Sequence, residues 1–118
     1  MHNKNANTAK AAPEEFFAAM TLPDLASALS ALVSMRTTAG LTSNLANHMK
    51  RDELEDFADT LCEALGDQIE AIETELLGRS PLNAADVADR DELLAVAGNA
   101  LRPGEHGANF RIGRTARG

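Results

Sequence analysis

The segment from Asp52 to Gly78 constrains the fold most strongly, because it separates apolar from acidic residues with the period of an α-helix. It carries ten carboxylates and no lysine or arginine. Eight of these acids, all but Glu53 and Glu75, fall within an arc of about 120° at 100° per residue. The large apolar residues lie opposite, and they are Leu54, Phe57, Leu61, Leu65, Ile69, Ile72 and Leu76. We therefore predict one helix with a buried face and an uninterrupted acidic face.

A second long helical segment precedes the acidic one. Thr21 is its predicted N-cap residue, because Pro23 lies in the first turn and Asp24 three residues on completes a capping pattern. We expect a break or kink near Gly40, since glycine costs about 1 kcal/mol in a helix interior. The apolar stripe comprises Leu22, Leu25, Leu29, Leu32 and Val33, and resumes after the glycine at Leu41, Leu45 and Met49. The two segments match in length and predict an antiparallel hairpin that turns near Lys50.

A short helix is predicted before the hairpin. Pro13 opens it, followed by Glu14 and Glu15, since proline fits the first turn and acids are favoured at the positive end of the helix dipole. Its anchors to the core would be Phe16, Phe17 and Met20. Residues 1–12 show no apolar periodicity and are predicted to be a disordered leader.

A final helix is predicted after the hairpin. Ser80 can cap a short turn that follows Gly78. Asp89 and Glu92 then form a capping pattern at the start of the final helix. Its apolar residues are Leu93, Leu94, Val96, Ala97 and Leu101. Residues 103–118, rich in glycine and arginine, are predicted to be a flexible tail.

These segments predict an all-α fold, in which residues 13–102 form a single helical domain. The architecture is a long antiparallel αα-hairpin with a short N-terminal helix and a C-terminal helix. Apolar stripes on both long helices also predict assembly into a helical bundle, as a homodimer or higher oligomer. The self-association residues would be Leu54, Phe57, Leu61, Leu65, Ile69 and Ile72.

The charge distribution argues against direct binding of DNA. The chain carries a net charge of −7. Residues 52–101 contain fourteen acids and two bases, whereas the segments on either side are weakly basic. A strongly acidic surface repels nucleic acid. With no apolar run of about 18 residues that could span a membrane, we expect a cytoplasmic protein without membrane association.

No catalytic signature is present in the sequence. Cys62 is the lone cysteine, and we interpret it as a small buried thiol rather than a nucleophile. His48 and Asp52 are four residues apart, but a single pair is a weak metal signal. We therefore predict a protein that is not an enzyme and that has no metal site and no cofactor.

The acidic face has two interpretations. It can be a solvated surface that keeps the protein soluble, or it can dock on a partner protein with a basic surface. Carboxylates on adjacent helical turns lie roughly 5–6 Å apart, comparable to phosphates along a nucleic-acid strand. The predicted partner-binding residues are Asp56, Asp59, Glu63, Asp67, Glu70 and Glu73. The function would be inhibition of a transcription regulator or nucleic-acid-binding protein, in the manner of an antiactivator; the alternative is a scaffold hairpin that homo-oligomerises.

Two polar residues interrupt the apolar stripes. Arg36 lies one turn beyond Leu32, where it could extend its guanidinium to solvent or form an ion pair with the acidic helix. Gln68 could specify the register of a buried seam or lie at an exposed edge. In the tail, Arg111 and its neighbours are either a disordered end or a segment that folds onto a partner.

Overall fold

The computed structural model describes residues 13–102, where four helices and no strand are present. The helices are α1 (Pro13–Ala18), α2 (Leu22–His48), α3 (Asp52–Gly78) and α4 (Ala84–Leu101). Helices α2 and α3 pack against each other as the long hairpin, α4 packs on α3 and α2, and α1 packs on α3. The all-α hairpin with a short helix before it and another after it is thus confirmed. The predicted leader and tail lie outside the described residues.

Helix α2 begins as predicted but continues through the expected break. The Thr21 hydroxyl accepts a hydrogen bond from the Asp24 backbone N–H at 3.2 Å, which caps the helix. The prediction of a break at Gly40 is wrong, because α2 is helical from Leu22 to His48, and the alternative of a kink there stays a prediction. Burial of Ala39 and Ala46 on either side of Gly40 holds this part of α2 in the fold. Tertiary packing therefore outweighs the low helix propensity of glycine.

The hairpin turns over residues 49–51, in agreement with the prediction. Arg51 N–H donates to the Ala46 carbonyl at 2.8 Å, and Lys50 N–H donates to the Asn47 carbonyl at 3.1 Å. This pair of hydrogen bonds is the Schellman pattern that ends many helices. It requires a left-handed residue after the C-cap, and Lys50 has a φ of 59°. Lysine thus occupies a position that favours glycine.

Antiparallel register is visible in two hydrogen bonds between the long helices. Asn47 Nδ2 donates to the Glu55 carboxylate at 2.8 Å, and one turn away Ser43 Oγ donates to the Asp59 carboxylate. Moving from Asn47 back to Ser43 on α2 corresponds to moving from Glu55 forward to Asp59 on α3, as an antiparallel hairpin requires.

The starts of α3 and α4 differ from the predicted capping patterns. Asp52 is the first residue of α3 rather than its cap, and Arg51 precedes it without a capping side chain. Helix α4 begins at Ala84, so the helix predicted from Asp89 and the separate turn before it are one element. Its cap is Asn83, whose side chain accepts from Asp86 N–H at 2.9 Å. The Asp86 carboxylate in turn accepts a hydrogen bond from the Leu82 backbone N–H at 3.0 Å. Two backbone donors that would otherwise be unpaired are therefore satisfied at this earlier cap.

The hydrophobic core lies at the open end of the hairpin, away from the turn. Its most deeply buried large side chains are Leu25, Leu29, Ile69, Ile72 and Leu76. Phe17 of α1 and Ala97 of α4 complete it from two further helices. Four helices therefore meet at this end, whereas the end near the turn consists of α2 and α3.

Adjacent leucines at the end of α3 test this description. Leu76 is 0% exposed and Leu77 is 65% exposed. We expect Leu76→Ala to lower the free energy of unfolding by about 2–5 kcal/mol, because it leaves a cavity in the core. Leu77→Ala should change it by less than about 0.5 kcal/mol. Urea denaturation followed by circular dichroism measures both, and equal losses would contradict the assigned rotation of α3.

A second prediction concerns the turn. Replacing Lys50 with glycine should raise the free energy of unfolding by about 1 kcal/mol, because it removes the steric penalty of a left-handed side chain. The matched control is Lys50→Ala, which removes the same charge and keeps the Cβ. Thermal denaturation should therefore order the midpoints with Lys50→Gly above Lys50→Ala, and the opposite order would contradict the positive φ.

Candidate protein-interaction surfaces

The acidic face of α3 is directed away from the core. Six of its eight carboxylates are exposed, namely Asp52 at the helix start and five in the body of the helix. We call these five the acidic surface: Asp56, Asp59, Glu63, Asp67 and Glu70. Burial of Ile69, Ile72 and Leu76 on the other side of α3 sets this orientation. None of the five is ion-paired with a cation among residues 13–102. The fold therefore leaves this concentration of negative charge in contact with solvent.

Two other acids of α3 form contacts within the fold. Arg102, just after α4, forms an ion pair with Glu73. Arg79 Nε lies 2.6 Å from the Glu75 carboxylate, also as an ion pair. Glu73 is a predicted partner-binding residue, but it is half-buried and tied to Arg102, so we leave it out of the acidic surface.

Exposed apolar side chains form a second surface near the turn. We call it the apolar surface, and its members are Leu41, Leu45, Met49, Leu54, Phe57 and Leu61. Their exposed fractions range from 38% to 64%. Each of the two long helices contributes three of them, spaced by three or four residues, so each set follows one side of its helix. Single exposed leucines are ordinary, whereas six large apolar residues at helical spacing on two adjacent helices are a candidate interaction surface.

The two surfaces lie on opposite sides of the hairpin. Near the turn, Ala46 and Ala58 are fully buried between α2 and α3 and define the seam. The hydrogen bond from Ser43 to Asp59 lies on one side of this seam, together with the acidic surface. At 100° per residue, the six apolar residues project from the other side. A partner on one surface would therefore leave the other accessible.

The predicted self-association residues are divided between core and surface. Leu65, Ile69 and Ile72 are buried in the chain's own core at 8%, 0% and 0% exposure, so in the folded chain they are covered. The other three belong to the apolar surface. Apolar stripes on both long helices predicted assembly, but the predicted self-association residues were all on α3. The structure adds Leu41, Leu45 and Met49 of α2 to this surface. Helix lengths explain why these residues stay exposed, because α1 and α4, with 6 and 18 residues, cannot cover a hairpin of two 27-residue helices.

Arg36 joins three helices through backbone carbonyls. From α2, its Nε donates to the Cys62 carbonyl of α3 at 3.2 Å, and its Nη1 donates to the Ala100 carbonyl of α4 at 2.6 Å. Gly66 makes room for the guanidinium, since a Cβ there would lie 3.2 Å from the guanidinium carbon. Neither expectation for Arg36 describes this arrangement, because its hydrogen bonds go to carbonyls rather than to solvent or an acidic side chain.

Arg79 performs a similar role at the end of α1. Its Nη2 donates to the Phe17 carbonyl at 2.9 Å and to the Met20 carbonyl at 2.5 Å. The last carbonyls of a helix have no partner within the helix and carry partial negative charge. Arg36 and Arg79 thus satisfy the C-terminal ends of the two shorter helices.

The remaining candidate groups do not converge on a chemical site. Cys62 is half-buried. Gln68 is exposed, which agrees with the alternative that it lies at an exposed edge rather than in a buried seam. No group of three histidine, cysteine or acidic residues within residues 13–102 is arranged to hold a metal ion. An open cleft of about 440 Å³ lies beside the α3–α4 connection. Its two arginines are Arg79 and Arg90, and Arg90 Nη1 donates to a backbone carbonyl of this connection at 3.3 Å.

No helix in the described part of the chain combines the length and apolar character needed to cross a membrane. Comparison with known proteins found no matching family model, no matching curated protein and no matching solved structure.

The arrangement around Arg36 leads to a prediction. Arg36→Met should lower the free energy of unfolding by about 1–3 kcal/mol, because it leaves the Ala100 carbonyl without its charged donor. Arg36→Lys keeps the positive charge but not the planar guanidinium group, so the decrease in the free energy of unfolding should be smaller for this variant. Hydrogen exchange should show faster exchange of the last turn of α4 in the methionine variant. Unchanged stability in that variant would contradict the assigned role.

Proposed function

We propose that this chain acts in the cytoplasm as a small non-enzymatic regulatory protein that binds another protein. The acidic surface of α3 would dock on a basic surface of a transcription regulator or other nucleic-acid-binding protein and inhibit it. Occupation of the partner's nucleic-acid groove would exclude the nucleic acid by competition.

The observation that carries this proposal is the lack of compensation for the acidic surface within the described fold. Like charges three or four residues apart destabilise a helix by a few tenths of a kcal/mol per pair. Neighbouring acids such as Glu63 and Asp67 are exposed and have no cation of the described residues beside them. A basic partner would relieve this repulsion, and the relief would contribute favourably to the free energy of binding.

Electrostatic steering supports the same proposal. A surface of one sign of charge accelerates association with an oppositely charged partner, and salt screens the effect over about 8–10 Å. The acidic surface is also rigidly presented, since α3 is anchored by Ile69, Ile72 and Leu76. The apolar surface favours a second role, homo-oligomerisation, which uses different residues.

The test compares two variants with the same charge change. Glu63→Lys with Glu70→Lys alters the acidic surface, whereas Asp89→Lys with Glu92→Lys alters exposed acids of α4 by the same amount. Immobilised wild-type chain and both variants are exposed to extracts of the source cells at low and high salt, and retained proteins are identified by mass spectrometry. We expect a basic protein that the wild type and the α4 variant retain at low salt and that the acidic-surface variant loses.

A purified candidate partner then provides the decisive measurement. Its affinity for the wild-type chain should fall with salt and fall further in the Glu63 and Glu70 variant, and duplex DNA should compete for binding. Equal affinity of both variants for that partner would contradict docking through the acidic surface. The acids would then serve as a solvated surface.

A further inference from the structure

We infer that the apolar surface is the docking site for a second copy of this chain, which forms a two-fold symmetric dimer through the turn end of the hairpin. This inference goes beyond the acidic surface and does not depend on its function. It uses residues of both α2 and α3 near the turn, whereas the predicted self-association residues were all on α3 and three of them are buried in the core.

The exposed area is sufficient for a dimer. Aromatic side chains have roughly 150–250 Å² of surface, and leucine and methionine lie toward the lower end of that range. With the exposed fractions of the six residues, the apolar surface amounts to roughly 600 Å² on each copy. Complete burial of this surface on both copies would remove roughly 1,200 Å² from solvent, the lower end of the range for specific protein interfaces.

The arrangement of the side chains is suited to pairing with itself. Leu41, Leu45 and Met49 form one row on α2, and three residues of α3 form an antiparallel row beside it. A two-fold axis through the surface would place each row of one copy against the rows of the other, with four helices in contact. Side chains at one-turn spacing on such helices can interdigitate as in a helical bundle. A two-fold interface requires this kind of self-complementary patch.

The charges favour a second copy over a basic partner at this surface. From Thr37 to Met49, the α2 side of the surface contains no acidic residue, lysine or arginine. The acidic surface lies beyond the seam of Ala46 and Ala58, so it would remain in water when two copies pack together. Each copy carries a net charge of −7, and pairing through this side keeps the most acidic sides of the two copies apart.

The experiment measures the oligomeric state of the full-length chain. Sedimentation equilibrium across the micromolar range should give a dimer for the wild type. Phe57→Glu should raise the dissociation constant by at least about 30-fold, as expected for a central aromatic residue of an interface. Leu77→Glu is the matched control, since Leu77 is 65% exposed on the same helix at the other end of the molecule. The control should remain dimeric.

A second variant and a salt series distinguish loss of the dimer interface from loss of folding and from binding at the acidic surface. Leu45→Glu changes the row on α2 and should also give a monomer, and circular dichroism establishes that each variant is folded. Salt should strengthen the dimer, because it screens repulsion between two acidic chains, whereas binding at the acidic surface weakens with salt. The Glu63 and Glu70 variant should therefore dimerise as well as the wild type or better.

Two results would overturn the inference. One is a monomeric wild type over the whole concentration range, which would also be the result if another segment of the chain or a different protein covers the surface. The other is a dimer that persists in folded Phe57→Glu and Leu45→Glu variants. Neither result bears on the acidic surface, whose test uses other residues and another readout.

Discussion

Burial of Leu65, Ile69, Ile72 and Leu76 of α3 at the open end of the hairpin is the interaction on which the rest of the structure depends. It determines the rotation of α3 about its own axis. Once this row faces the core, the acids on the opposite side must point to solvent, where their charge is tolerated. The same rotation places Cys62 and Gly66 where Arg36 of α2 can reach them. The surface chemistry of the protein therefore follows from its core.

The shorter helices depend on arginine as well as on apolar packing. A six-residue helix such as α1 has marginal stability alone, because helix nucleation is unfavourable. Arg79 from the end of α3 supplies donors to its last carbonyls, and Arg36 does the same for α4. These guanidinium groups act on helix ends whose dipoles favour positive charge. Since both short helices attach toward the open end, the turn end keeps its apolar residues exposed.

The two surfaces of the hairpin have opposite physical character, and the two proposed interactions are compatible with each other. Association through the acidic surface would be driven by charge and weakened by salt. Association through the apolar surface would be driven by removal of apolar area from water and strengthened by salt. Because the Ala46–Ala58 seam separates them, a dimer would present two acidic surfaces on its outer sides.

The apolar periodicity and the helix-ending residues of the sequence were enough to predict the helical hairpin, its turn near Lys50 and the end of α3 at Gly78. These features follow from local spacing and from residues that end helices. The same sequence signals were not enough to predict the continuity of α2 through Gly40, where packing against α3 outweighs a local preference. Nor could they predict that Asn83 rather than Asp89 would cap α4, since several capping residues compete within a few positions. The apolar stripe of α3 was equally visible along its whole length, yet Ile69 is buried and Phe57 is exposed. That division depends on where α1 and α4 attach, and their attachment is a property of contacts between distant residues that no local pattern encodes.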